Sequence, residues 1–197
     1  GRRSARLLTR LAKHWRHLGN VQMITGPDTA RYVVHPGQFL DFLSGRLSSH
    51  FVRDPASLER SVADWNRPAD ADGRFAMGNY FCHADTWRHL LPKLLEKDDV
   101  VLMDLRSFTR ENAGCVHEVR YLVETVPSDH WLIIVDRTTD RDFLDQILRE
   151  TWEALPAHSP NARGRADEAP VHDYEPTSKS LRQLIHRLCR CAASVAP

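Results

Sequence analysis

The chain is short of several things, and each shortage excludes something. No run of 18 apolar residues occurs in its 197 residues, so no transmembrane helix is expected. No charged-then-apolar leader ending in a small-residue cleavage site opens the chain. Nine Gly and eleven Pro are too few for a collagen-like or low-complexity polymer. Only four Cys are present, with no Cys-x-x-Cys pair. Cys82 and Cys115 fall in segments that read as core, while Cys189 and Cys191 are two apart on an expected helix and diverge. No disulfide framework is expected, and the cysteine usage suits a reducing, cytoplasmic compartment. The eleven His are scattered, without ligand spacing beside a Cys pair, so no metal site is expected.

What is present is ordinary for a globular α/β chain: 42% hydrophobic and 27% charged residues. A chain of this length buries roughly 70% of its unfolded surface without staples. The formal net charge of +1 conceals an asymmetry. Residues 1–19 contain Arg2, Arg3, Arg6, Arg10, Lys13 and Arg16 and no acid. The other residues carry more acids than bases, so a globally basic nucleic-acid binder is not indicated and no nucleic acid is expected as partner. Leu7, Leu8, Leu11, Trp15 and Leu18 recur at helical spacing within this basic segment. Three readings of residues 1–19 stand side by side: an amphipathic helix packed on the domain, a juxtamembrane segment facing anionic lipid, or a nucleic-acid arm. The first residue is Gly1, which suits a fragment of a longer, membrane-associated protein.

Hydrophobic patterning gives alternating elements. Val21–Thr25 reads as a strand ended by Gly26-Pro27-Asp28. Pro36 opens a helix carrying Phe39, Leu40, Phe42, Leu43 and Leu47, and a short helix fits Leu58–Trp65. Arg74–Cys82 reads as a second strand. Asp85 caps a helix running to Lys97, with Pro92 an awkward member. Val100–Leu105 and Trp131–Val135 are continuous apolar runs, as in adjacent parallel strands buried on both faces. A helix from Asn112 to Val126 lies between them. Phe143–Leu155 and Ser178–Ala193 are further helices, with a loop over 156–170 and a weak edge strand at Val171–Tyr174.

Strand and helix alternate about five times. The expected fold is α/β: a flavodoxin-like, doubly wound parallel sheet of about five strands with helices on both faces, over residues 20–197. Such sheets bind ligands at their strand carboxyl ends. Four segments would meet there: Thr25–Asp28, His83–Asp85, Asp104–Asn112 and Asp136–Asp140.

In the third segment the strand ends at Asp104, and Glu118 lies in the second turn of the next helix, one turn from Cys115 and from Leu122. It flanks the buried stripe. Gly114 leaves room at the helix start, where backbone N–H groups favour an anion. A carboxylate so placed can stabilise an oxocarbenium ion or attack a glycosidic carbon. The competing reading has Glu118 bonding a helix-start N–H or pairing with Arg120 or Arg110. Thr25, Gly26, Asp28, His83, Asp85, Asp104, Ser107, Asn112 and Asp136 are the other rim candidates for ligand contact. Each has a plain alternative as turn or cap chemistry. Ser107 has no His at motif spacing, so no triad is expected.

The stretch Val100–Arg137 resembles the middle of a TIR domain. There an apolar strand ends near a Ser, and a helix opens with a Trp-Cys-x-x-Glu-Leu-like motif. Here Gly114-Cys115-Val116-His117-Glu118-Val119 takes the motif's place after Ser107. Asp85-Thr86-Trp87 with Leu90, Leu91, Leu94 and Leu95 resembles the preceding TIR helix. The same core resembles nucleoside deoxyribosyltransferases. The motif Trp is replaced by Gly114, and the phenylalanine-rich opening strand is missing. The chain as a whole resembles the soluble tail of bacterial proteins of unassigned function. The resemblance implies a nucleotide-binding domain with NAD or a related nucleotide as substrate, no required cofactor, Glu118 as the catalytic carboxylate, and a homo-oligomer completing the site. Its alternative is a signalling or self-association module without turnover, or the cytoplasmic domain of a membrane protein.

Overall fold

The computed structural model describes residues 2–25, 51–52, 68–82 and 100–195. The chain divides into two compact units, Gly1–Glu96 and Lys97–Pro197. Each contains a three-stranded parallel sheet.

In the first unit, α1 (Arg2–Trp15) is followed by β1 (Val21–Thr25), β2 (Phe51–Val52) and β3 (Met77–Cys82). The strand order is β1-β3-β2, with Val21 opposite Met77 and Phe51 opposite Phe81. The apolar side of α1 is spent on packing: Leu7, Leu11 and Ala12 are buried. Leu8 and Val21 pack against Met23. Arg6, Arg10 and Lys13 remain exposed. These apolar residues of α1 are therefore not free to enter a bilayer. Leu18 lies beyond the helix end and is exposed. Asp70-Ala71-Asp72-Gly73 forms an Asx-type turn. The Asp70 Oδ1 accepts from the N–H groups of Asp72 and Arg74 at 3.0 and 2.8 Å. Gly73 takes φ +71°, which glycine tolerates without a Cβ clash. The expected helices at Pro36, at 58–65 and at 85–97 lie outside the described residues.

In the second unit the order is β4 (Val101–Asp104), α2 (Ala113–Thr125), β5 (Trp131–Val135), α3 (Arg141–Glu153), β6 (Val171–Asp173) and α4 (Ser178–Val195). The sheet order is β4-β5-β6, all parallel. The strand β5 is central and every residue of it is buried, as its unbroken apolar run requires. Its neighbour β4 is parallel to it as expected, but its residues are only half-buried. The reason is position: among the described strands β4 ends its sheet and pairs with β5 alone. Val119, Leu122 and Val123 of α2 and Leu144, Ile147 and Leu148 of α3 complete this core. Each fully buried Leu, Ile or Val side chain contributes roughly 1.5–3 kcal/mol. The sheets thus bear out an α/β architecture built on parallel strands.

The loop over 156–170 is more than a connection. Asn161 is buried, and its Nδ2 donates to the carbonyls of Val123 and Val126 at 2.7 Å each, while its Oδ1 accepts from the Ser128 N–H. Ser159 Oγ adds a bond to the Glu124 carbonyl. These satisfy carbonyls that a helix C-terminus leaves without intrahelical partners. They fix the end of α2 and, through it, the helix that carries Glu118. No helix among the described residues is long and apolar enough to cross a membrane.

Candidate functional site

At the carboxyl ends of β4 and β5 two of the expected segments come together. The Leu105 N–H bonds the Ile134 carbonyl, and the Asp140 N–H bonds the Phe108 carbonyl. Thr139, buried, donates its hydroxyl to the Leu105 carbonyl and accepts from the Asp136 N–H. Phe108 stacks on Phe143 with ring centroids 5.5 Å apart. The loops after both strands are therefore rigidly joined, as a rim site needs.

Most rim candidates are already engaged. Asp104 is held bidentately by Arg106: Nε donates to Oδ1 at 2.8 Å and Nη2 to Oδ2 at 2.6 Å. Both side chains are largely buried, at 8% and 12% exposure for Arg106 and Asp104. Burial pulls the Arg106 guanidinium downward, but the hydrogen bond and charge of Asp104 outweigh it, so it stays protonated. The Arg106 guanidinium also sits over the Tyr174 ring, 5.2 Å from its centroid. Asp104 is thus a structural carboxylate. Asn112 turns back to the loop, accepting from the Thr109 N–H at 2.7 Å, and makes no side-chain cap bond to α2. Asp140 caps α3 by accepting from the Phe143 N–H at 3.1 Å.

Ser107 has φ 61°, the left-handed region that a serine rarely adopts. This conformation turns its N–H onto Asp136, and its Oγ lies 2.9 Å from Thr138 Oγ1. Thr138 Oγ1 in turn donates to Asp136 Oδ1 at 2.5 Å. Burial pushes the Asp136 carboxyl up, but the bonds from Thr138 and Ser107 and the charge of Arg106 outweigh this and hold it below its ordinary value. An ionised carboxylate only accepts. Thr138 spends its one hydroxyl proton on Asp136, so the Ser107 hydroxyl must donate to Thr138. Ser107, exposed, is left with lone pairs toward solvent. It can accept from a ligand hydroxyl or amide N–H.

Glu118 differs from all of these. It is half-buried on α2, and no hydrogen bond or ion pair joins its carboxylate to a described residue. The partners proposed for it are occupied elsewhere. Arg120 lies 3.5 Å from Glu150. Arg110 lies 4.0 Å from Asp140 and stacks over Phe143. Burial alone pushes the Glu118 carboxyl up to about 7. One turn earlier, Cys115 is pushed up to about 11 by burial first, then by the charges of Glu118 and Asp104. It stays a neutral thiol and is no nucleophile at pH 7. A Cβ at Gly114 would meet no described atom within 4 Å, consistent with the room expected at the helix start.

Thr25 ends β1, while Gly26, Asp28, His83 and Asp85 lie outside the described residues. No group of three or more His, Cys, Asp or Glu suited to a metal ion occurs among the described residues. The residues that sequence reasoning missed are Arg106, Thr138 and Thr139. The Asp136-Arg137-Thr138-Thr139 run carried a signal for the last two, since Asp and Thr near a strand end favour side-chain-to-backbone turns. Comparison with family models, curated proteins and solved structures finds no match to this chain.

Proposed function

We propose that this chain is a TIR-like nucleotide-binding domain that cleaves the N-glycosidic bond of NAD or a related nucleotide, with Glu118 as the catalytic carboxylate. The observation that carries the reading is the state of Glu118: half-buried, without a partner among the described residues, and raised to about 7. A structural carboxylate is paired or hydrogen-bonded, whereas an unpaired one in partial burial is a functional-site candidate. In the proposed reaction the ionised Glu118 stabilises the ribosyl cation as the nicotinamide leaves with the bonding electron pair. Water then attacks C1 of the ribose. Ser107 supplies an acceptor for a ribose hydroxyl, and Asp136 holds Ser107 through Thr138. No cofactor is required. The finer form of the architecture belongs to the same proposal: a flavodoxin-like sheet of about five strands, acting in the cytoplasm as a homo-oligomer.

The test is nicotinamide release from NAD at high enzyme concentration, parent against Glu118→Gln. The expected loss is at least about 100-fold, or roughly 2.7 kcal/mol of transition-state stabilisation. Because the ionised form acts, the parent's activity should rise with pH through about 7. No parent activity, together with marked destabilisation by Glu118→Gln, would overturn the reading in favour of a binding module.

One observation favours a second reading, of an appendage at an anionic membrane surface. The exposed side of α1 presents Arg6, Arg10 and Lys13. Each such residue near an anionic leaflet contributes about 1 kcal/mol. Liposome binding that rises with anionic lipid and falls with salt is its signature.

A further inference from the structure

Helix α4 carries Lys179, Arg182, Arg187 and Arg190 and no acidic residue. Lys179, Arg182 and Arg190 are exposed and join no ion pair among the described residues. Elsewhere in the unit Arg106, Arg110, Arg120, Arg141 and Arg165 each lie against a carboxylate, while Arg137, Arg149 and Arg163 join no ion pair among the described residues. Lys179 with Arg182, and Arg187 with Arg190, stand three apart on the helix, where like charges repel and weaken it. Asp173, at the end of β6, is committed to Arg141 at 3.1 Å.

The basic stripe borders a concavity. Arg182, Gln183, His186 and Arg187 of α4 and His172 of β6 line a shallow, open groove of about 580 Å³. Glu118 and the Ser107 loop do not line it. Arg187 is fixed in place, its Nη1 donating to the Val171 carbonyl at 2.8 Å and lying 3.4 Å from His172 Nδ1. A guanidinium only donates, so Nδ1 is the acceptor and the proton of the neutral ring is on Nε2. Burial and the Arg187 charge lower the His172 pKa against the pull of Asp173, which keeps the ring neutral. His172 Nε2 is itself buried with no hydrogen-bond partner. The groove is therefore lined by a preset guanidinium, a free guanidinium and two imidazoles. The charged side chains lining it, Arg182 and Arg187, are both bases.

We propose that this groove is an oxyanion site for a small phosphate-bearing molecule, held by Arg182, His186 and Arg187. Arginine forks match the paired oxygens of a phosphate. Three donor-bearing side chains, two of them guanidinium forks, suit a phosphate, with three or more oxygens, better than a lone carboxylate. The site is distinct from the rim that carries Glu118, and its existence does not rest on NAD cleavage.

The test is calorimetric titration of the full chain with inorganic pyrophosphate at low salt. Binding at one site per chain is expected. Arg182→Glu changes an exposed residue without a described partner, so the fold should persist, and affinity should fall at least about tenfold. Arg163→Glu, an exposed arginine outside the groove, makes the same change in net charge and should leave affinity within about twofold. Glu118→Gln should bind pyrophosphate as the parent does. Absence of binding at millimolar pyrophosphate would overturn the proposal. So would equal losses in the Arg182 and Arg163 variants, which would mean diffuse attraction, or binding of a single-stranded oligonucleotide in place of pyrophosphate.

Discussion

Asp104 ends β4 with both carboxylate oxygens on Arg106, whereas Glu118, on the helix that follows the same loop, has no partner among the described residues. Both are substantially buried, so both carry a desolvation cost. At Asp104 the cost is offset by a bidentate ion pair and by the backbone N–H of Arg106 at 3.2 Å. At Glu118 it is left standing, and the carboxyl rises to about 7. The difference separates a carboxylate that holds the fold from one that the fold holds ready. A group that weakens its own fold is a common mark of function.

Breaking the satisfied member gives the largest stability effect. Asp104→Ala removes the bidentate partner of a mostly buried guanidinium and should destabilise the protein by roughly 3 kcal/mol in chemical denaturation. A change below about 1 kcal/mol would mean that Arg106 finds another partner and that Asp104 is not structural.

Changing the unsatisfied member should act in the opposite direction. The carboxyl of Glu118 is raised on folding from an ordinary 4.5 to about 7, so between those values the native state binds more protons than the unfolded state. Stability from this group is therefore fully present below about pH 4.5 and lost as pH rises through about 7. Glu118→Gln removes the charge, so thermal melts at pH 8 should show a variant at least as stable as the parent. At pH 5 the two should be nearly equal. Destabilisation at pH 8 would contradict the comparison.

The smallest effect is expected at Ser107. Its left-handed backbone favours glycine, while its hydroxyl bonds Thr138. Ser107→Gly exchanges one for the other and should leave stability within about 0.5 kcal/mol, whereas Ser107→Ala loses the bond without relieving φ and should cost about 1 kcal/mol. Equal effects of the two would mean that backbone strain plays no part.

How much of this was legible in the sequence differs by residue. The buried β5 declared itself by five consecutive apolar residues, and α2 by its stripe at Cys115, Val119, Leu122 and Val126, which also placed Glu118 beside the core. Helix α3 starts two residues before its first apolar residue because Asp140 caps it. Phe51–Val52 is too short to carry a period. Pairing between strands is non-local, so even spacing suggested one continuous sheet where the described strands form two sets of three. The role of Arg106 was not legible, since several arginines lie near the same carboxylates in sequence and only the folded loop selects one. Asn161 was hidden for the same reason: nothing in a loop sequence shows that it will cap a helix that ended far upstream.

The most direct measurement of the central claim is the titration of the Glu118 side-chain carboxyl by carbon NMR, assigned by its loss in Glu118→Gln. An unpaired, half-buried carboxylate should titrate near 7, well above the other glutamates. A midpoint at or below the ordinary value of 4.5 would show that Glu118 is paired or solvated, and would make it a structural residue like Asp104.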